Sequence, residues 1–300
     1  VGGLVNVSYT VNGTSFPASF AVDVTEVEVV SVSATVKAGF TVYTDTTLAN
    51  LKDNILATAY RNDGTSFDVP AADFSISLPD GETKLTAGAQ KVVLVTYNGS
   101  DKSADCADFG LITGVTKHAT QIYYNGKTEF TYTGSEQVIN SGATTTNTQS
   151  PTIKYTIGGA DAKFTDVPAS GELVLKIEAA ETDDYFAAEI TLTITVSKAD
   201  IDMSAVDFDD VEYKYDGTDK SITVDTSKLP AGVTVSGYEY LDTSDGTTLS
   251  TSSVSAAGVY KVTVKFTVTD TDNYNLVANK TATLTIKKAD YDMTGVTFNG

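Results

Sequence analysis

Between positions 200 and 212 the chain carries Asp200, Asp202, Asp207, Asp209, Asp210 and Glu212, with Lys214 the only base nearby. Carboxylates at this density suit one kind of chemistry. Calcium takes about six to eight hard oxygen ligands, and an ion at a junction could lock two domains together. No EF-hand loop frames these residues, and a second copy of the phrase keeps only Asp290 and Asp292. Aspartates at alternate positions of a strand share one face, which is equally the pattern of a solvated strand edge. Hydration is the preferred expectation and junction calcium the sharper one. The acidic runs "ETDDY" (Glu181–Tyr185) and "DTDNY" (Asp270–Tyr274) read first as turns, because Asp and Asn side chains bond their own backbone.

Other reactive groups are few. His118 and Cys106 are the sole residues of their types. A Cys–His pair could serve as nucleophile and base, but "SADCADFG" places Cys106 in or beside a strand, where a small buried thiol is the ordinary reading. No phosphate-binding glycine loop, zinc helix motif or G-x-S-x-G elbow is present. The chain reads as no enzyme and as needing no cofactor. Tyr123, Tyr124, Tyr132, Tyr213, Tyr215, Tyr238 and Tyr240 could stack sugars, although Tyr213 and Tyr215 more simply share a packing face. Lys176 and Lys265 are candidates for an isopeptide crosslink without a recognisable motif around them. Asn6, Asn12, Asn98 and Asn279 stand in N-x-[ST] sequons that matter only in a glycosylating host.

What must position such groups is set by composition and period. The 300 residues hold 39 acids against 20 bases, a net charge of −19. That field repels phosphate backbones and anionic membranes, so nucleic acid is excluded as a partner. No apolar run approaches the roughly 18 residues that cross a bilayer. One cysteine allows no intrachain disulfide, and the Thr/Ser-rich text suits an extracellular protein that folds without one. No signal peptide opens the chain, so any targeting signal or anchor is expected outside these residues.

Apolar and polar residues alternate in "LVNVSY" (Leu4–Tyr9), "KVVLVTY" (Lys91–Tyr97), "LVLKIEA" (Leu173–Ala179) and "KVTVKFTV" (Lys261–Val268), the period of half-buried strands. The best helical candidate, Asp45–Tyr60, is short and runs into another strand pattern. Turn pairs recur: Asn12-Gly13, Asp63-Gly64, Asn125-Gly126, Asp216-Gly217, Asp245-Gly246. Many short strands with frequent turns predict an all-β fold of sandwiches.

The chain also repeats itself. "SKADIDMSAVDFDD" (Ser197–Asp210) returns as "KKADYDMTGVTFNG" (Lys287–Gly300), each after a similar strand, "TLTITV" (Thr191–Val196) and "TATLTI" (Thr281–Ile286). A glycine precedes the strongest strand of each unit, at Gly3, Gly88, Gly171 and Gly258, spaced by about 85 residues. The expected units are 1–26 (the last strands of a truncated domain), 27–115, 116–198, 199–288 and 289–300 (the first strand of a further repeat). Linkers this short imply beads stacked end to end. The expectation is a window from a longer tandem array, with neighbouring repeats of the same chain as partners.

"NILATAYRNDGTSFDV" (Asn54–Val69) and "LTAGAQKVVLVTYNGS" (Leu85–Ser100) resemble bacterial immunoglobulin-like domains of large surface proteins. "FTYTGSEQVI" (Phe130–Ile139) and "YKYDGTDKSI" (Tyr213–Ile222) resemble the tandem YDG/MBG-type repeats of bacterial adhesin-like proteins. Thr133 replaces the Asp of "YDG" in the former. The resemblance implies a tandem string of immunoglobulin-like β-sandwiches at a bacterial cell surface. A Tyr two residues after Gly258 is like the tyrosine corner of such sandwiches, which assigns to Tyr260 a hydroxyl bond to upstream backbone. A structural or spacer segment is the expected function; the alternative is a bead that binds a glycan or a host surface protein.

Overall fold

The computed structural model describes residues 2–97 and 109–297, so Cys106 and Asn98 lie outside the described residues. The chain divides into two compact units. One comprises Val1–Ile122, Thr145–Thr152 and Ala179–Ala188; the other comprises Tyr123–Thr144, Ile153–Glu178 and Glu189–Gly300.

The first unit opens on a hairpin of β1 (Gly2–Val11) and β2 (Thr14–Asp23), paired from Gly2↔Asp23 to Val11↔Thr14. Asn12 and Gly13 make its two-residue turn with φ of 53° and 80°, both left-handed. That conformation matches the twist of the flanking strands and is the reason for Asn-Gly there. Leu4, Tyr9 and Phe16 on this hairpin are exposed.

Then come β3 (Val29–Val36), the helix α1 (Leu48–Asp53), β4 (Ile55–Arg61), β5 (Ser66–Val69), β6 (Phe74–Ser77), β7 (Gly88–Tyr97) and β8 (Phe109–Val115). They form two three-stranded antiparallel sheets in the orders β3-β4-β5 and β6-β7-β8. Alternation selects the buried face: Ile55, Ala57 and Ala59 are buried while Leu56 and Tyr60 are exposed. These side chains share one core with Phe74, Val92 and Ile112 of the opposite sheet, so the layers form a sandwich. The helix is a single capped excursion. Thr47 accepts a hydrogen bond from Asn50 N at 3.2 Å, Leu51 is its one fully buried side chain, and the chain re-enters a strand two residues after its end.

The remaining strands are β9 (Ile122–Tyr124), β10 (Glu129–Thr131), β11 (Gln137–Val138), β12 (Ala143–Thr145), β13 (Ile153–Ile157), β14 (Ala160–Asp161), β15 (Lys163–Phe164), β16 (Glu172–Ala179), β17 (Ala188–Ser197), β18 (Val211–Lys214), β19 (Val233–Asp242), β20 (Thr248–Leu249), β21 (Gly258–Val268) and β22 (Lys280–Lys287). In the second unit they build two five-stranded sheets, β10-β17-β16-β13-β14 and β18-β22-β21-β19-β20. The first strand of each sheet runs parallel to the last long one, in the same register relative to the repeat. Phe130 pairs with Val196 and Tyr213 with Ile286. Tyr132 N donates to Ser197 O at 2.9 Å, as Tyr215 N donates to Lys287 O at 2.8 Å.

The chain is therefore all-β, a string of immunoglobulin-like β-sandwiches. Leu175, Ile177, Val262, Val264, Leu284 and Ile286 are buried, as their alternation predicts. Leu173 and Phe266 are only half-buried, and the Leu94 side chain lies outside the described ones. Over the β18–β22 sheet the second layer is largely irregular chain: Val206, Ile222, Val224 and Val254 cover β19, β21 and β22 without forming long strands.

Candidate functional site

The six acidic residues of the 200–212 stretch do not converge. Asp200 Oδ1 accepts from Asn275 Nδ2 at 2.8 Å, and Asp202 Oδ1 accepts from Ser204 N at 2.9 Å. Asp207 pairs with Lys228 at 2.7 Å, Asp210 accepts from Thr283 N at 2.6 Å, and Glu212 pairs with Lys287 at 2.5 Å. Asp209 lies near enough to Lys228 to help raise its pKa, behind the larger effect of Asp207. Among the described residues no three acidic, histidine or cysteine side chains are grouped so as to hold a metal ion.

Many aspartates instead lock turns in a D-x-[ST] pattern. Asp63, Asp216, Asp225 and Asp242 each accept from the backbone N–H and the hydroxyl two residues ahead. Those bonds hold all four carboxyls below the usual range, through the side-chain donor first. For Asp216 the leading donor is Lys220, at 2.6 Å.

The tyrosines are likewise dispersed among structural tasks. Tyr240 is fully buried, and Tyr238 accepts from Val224 N at 3.1 Å. Tyr124 donates to Lys127 O at 3.0 Å, and Tyr213 lies beneath the Lys220 ammonium, 5.4 Å from it. Lys176 pairs with Glu178 at 2.9 Å and Glu189 at 2.7 Å, while Lys265 pairs with Glu239 at 2.9 Å.

One constellation does recur with the same geometry, where the segments at the ends of β8 and β17, the expected linkers, meet acidic turns. At the end of β8 the chain reads Val115-Thr116-Lys117-His118; at the end of β17 it reads Val196-Ser197-Lys198-Ala199. Lys117 Nζ donates to Thr182 O at 2.6 Å, and Lys198 Nζ donates to Thr271 O at 2.6 Å. His118 N donates to Asp184 O at 2.8 Å and its carbonyl accepts from Phe186 N at 3.0 Å. Ala199 repeats both bonds, to Asn273 O at 3.0 Å and from Asn275 N at 2.9 Å. Each linker thus adds one parallel bridge beside a Tyr, at Tyr185 and at Tyr274.

Aromatic packing completes both joints. The His118 ring stacks on Tyr43 with centroids 3.9 Å apart, lies 5.2 Å from Tyr185, and Nε2 meets Asp45 Oδ1 at 2.9 Å. Tyr274 packs edge-on against Tyr132 at 5.2 Å. Burial pushes the Tyr132 hydroxyl up, with Tyr274, Asp270 and Asp166 adding to the shift. Asn273 fastens the second joint further: its Oδ1 accepts from Val167 N at 2.8 Å and its Nδ2 donates to Asp166 at 3.2 Å. The sole histidine is therefore a packing pin. Sequence reasoning noticed the two acidic turns and the doubled linker separately, and the shared spacing of Lys and Thr was the signal that could have joined them.

No family model matches the sequence, and no curated protein matches it. Among solved structures the chain is similar to titin domains Z1Z2 in complex with telethonin, at 12% identity over 56% of this chain and 98% of that one, with a TM-score of 0.31. It is similar to Drosophila N-cadherin EC1-4 at 15% identity over 96% and 83%, with a TM-score of 0.28. A third similarity, to domains 4-9 of the surface-layer protein SbsC, has 12% identity over 96% of this chain and 54% of that one, with a TM-score of 0.22.

Proposed function

We propose that this chain is a structural spacer, part of a stalk, fibre or surface layer of a large bacterial cell-surface or secreted adhesin-like protein. The beads are the units expected at 27–115, 116–198 and 199–288. The observation that carries the reading is the repeated joint, in which a linker lysine caps a threonine carbonyl and the next residue bridges an acidic turn. We take each such contact set as the joint between two of the expected beads, an arrangement that gives length without new chemistry. The dispersal of acids and tyrosines into turns, ion pairs and cores supports a non-enzymatic role. The composition and the YDG-type phrases support an extracellular setting, and among the described residues no helix is long and apolar enough to cross a membrane.

The alternative, a bead that binds a glycan or a host protein, makes a different prediction. The intact chain screened on a glycan array is expected to give no specific signal. A specific signal abolished by substituting exposed Tyr123 or Tyr60 would replace the spacer reading.

A further inference from the structure

A third copy of the linker, Ile286-Lys287-Lys288-Ala289, spans the end of β22 and repeats Val196-Ser197-Lys198-Ala199. It lines an open groove of about 390 Å³ whose walls are Tyr215, Ala257, Lys288, Ala289, Asp290 and Tyr291. The repeat assigns a counterpart to four of these walls. Tyr215 stands at the position of Tyr132, Lys288 at Lys198, Ala289 at Ala199 and Asp290 at Asp200.

In the occupied joint those counterparts make known contacts. Tyr132 packs on the Tyr274 ring, Lys198 binds the Thr271 carbonyl, Ala199 bridges Asn273 and Asn275, and Asp200 accepts from the Asn275 amide. At the third linker Tyr215 is 43% exposed, Tyr291 is 93% exposed, and Asp290 turns to Lys214 at 2.9 Å. The register that sets the groove is the same, because Tyr215 N and Tyr132 N make equivalent bonds.

We propose that this groove is a socket for the acidic turn of a further bead following on the same chain, with the sequence Asp/Glu-Thr-Asp-x-Tyr. This rests on the spacer reading and specifies its partner. The incoming Thr carbonyl takes the Lys288 ammonium. The backbone N–H and C=O of Ala289 bridge the residues on either side of the incoming Tyr, and the Tyr ring fills the groove against Tyr215. Lys288 facing an acidic turn supplies charge complementarity, which fixes register more than affinity. The two such turns within this chain already hold Lys117 and Lys198, so the occupant is a bead whose turn is free.

The test extends the whole chain by appending a copy of residues 211–288 after Gly300, which stands at the position of Asp210 in the repeat. Amide hydrogen exchange is then followed residue by residue. In the unextended chain Ala199 N–H is expected to be protected and Ala289 N–H to exchange freely. Extension should slow Ala289 exchange by at least about tenfold, and Tyr→Ala at the appended copy of Tyr274 should reverse the gain. Lys288→Ala should weaken it.

Three results would overturn the socket. Ala289 could be as protected as Ala199 without extension, its exchange could stay unchanged beside a protected appended sheet, or the appended sheet could fail to protect its own amides. A glycan-array signal would sink the spacer reading instead, and it leaves Ala289 exchange where it was.

Discussion

Tyr260 Oη donates to the carbonyl of Ala256 at 3.0 Å, tying the head of β21 to the chain four residues upstream. Gly258 lies between them for a steric reason: a Cβ there would meet Tyr260 Oη at 3.1 Å. Tyr260→Phe keeps the buried ring and loses only the hydrogen bond. It is expected to cost about 1 kcal/mol, read as a lower urea midpoint of the β18–β22 sheet with unchanged slope. Tyr260→Ala should cost about 3–5 kcal/mol. Equal effects of the two variants would remove the hydroxyl from the account.

Gly142 carries a second close approach. Its φ is +100°, and a Cβ would come within 2.7 Å of the Gly126 Cα. Backbone cannot swing aside as a side chain can, so Gly142→Ala combines strain with a clash and should destabilise by about 2–4 kcal/mol. Gly159→Ala is the matched control, with φ +85° and nothing within 4 Å of the added carbon. It should cost only about 1–2 kcal/mol. Thermal melts of the pair separate crowding from conformational preference.

Asp216 sets an acid limit on its turn. Its folded pKa is depressed, first by Lys220 and then by Thr218, so the unfolded state binds the proton more readily. The stabilisation is complete above the ordinary aspartate pKa of about 3.9. It fades as pH falls below that value toward the lower folded one. Melting curves of wild type and Asp216→Asn should therefore converge as the solution is acidified through that window and diverge above it. A gap that stays constant across the window would contradict the assignment.

Calcium should not stabilise the 200–212 stretch. Five of its six carboxylates are separately engaged by Asn275, Ser204, Lys228, Thr283 and Lys287. An ion that binds only the folded chain must raise its melting temperature. Melts with calcium and with chelator are expected to coincide within about a degree or two. A large calcium-dependent rise would restore the junction ion.

Local rules determined much of this protein from sequence alone. Strands follow from period-two burial, as in Ile55, Ala57 and Ala59, and turns follow from Asn12-Gly13 and the D-x-[ST] locks. Both depend on residues within a few positions of one another. The Tyr260 bond was legible for the same reason, since its acceptor lies four residues away. What tertiary structure decided involves distant partners. Lys117 and Thr182 are 65 residues apart, and Lys198 and Thr271 are 73 apart. No periodicity encodes which carbonyl an ammonium will find. The same holds for His118, which chemistry alone offers as a base and packing makes a pin between Tyr43 and Tyr185. It holds too for the acidic stretch, where alternation put carboxylates near one another in sequence and chain folding gave five of the six a separate donor. Patterning fixes which face a side chain takes, and only the assembled sheets fix what it meets there.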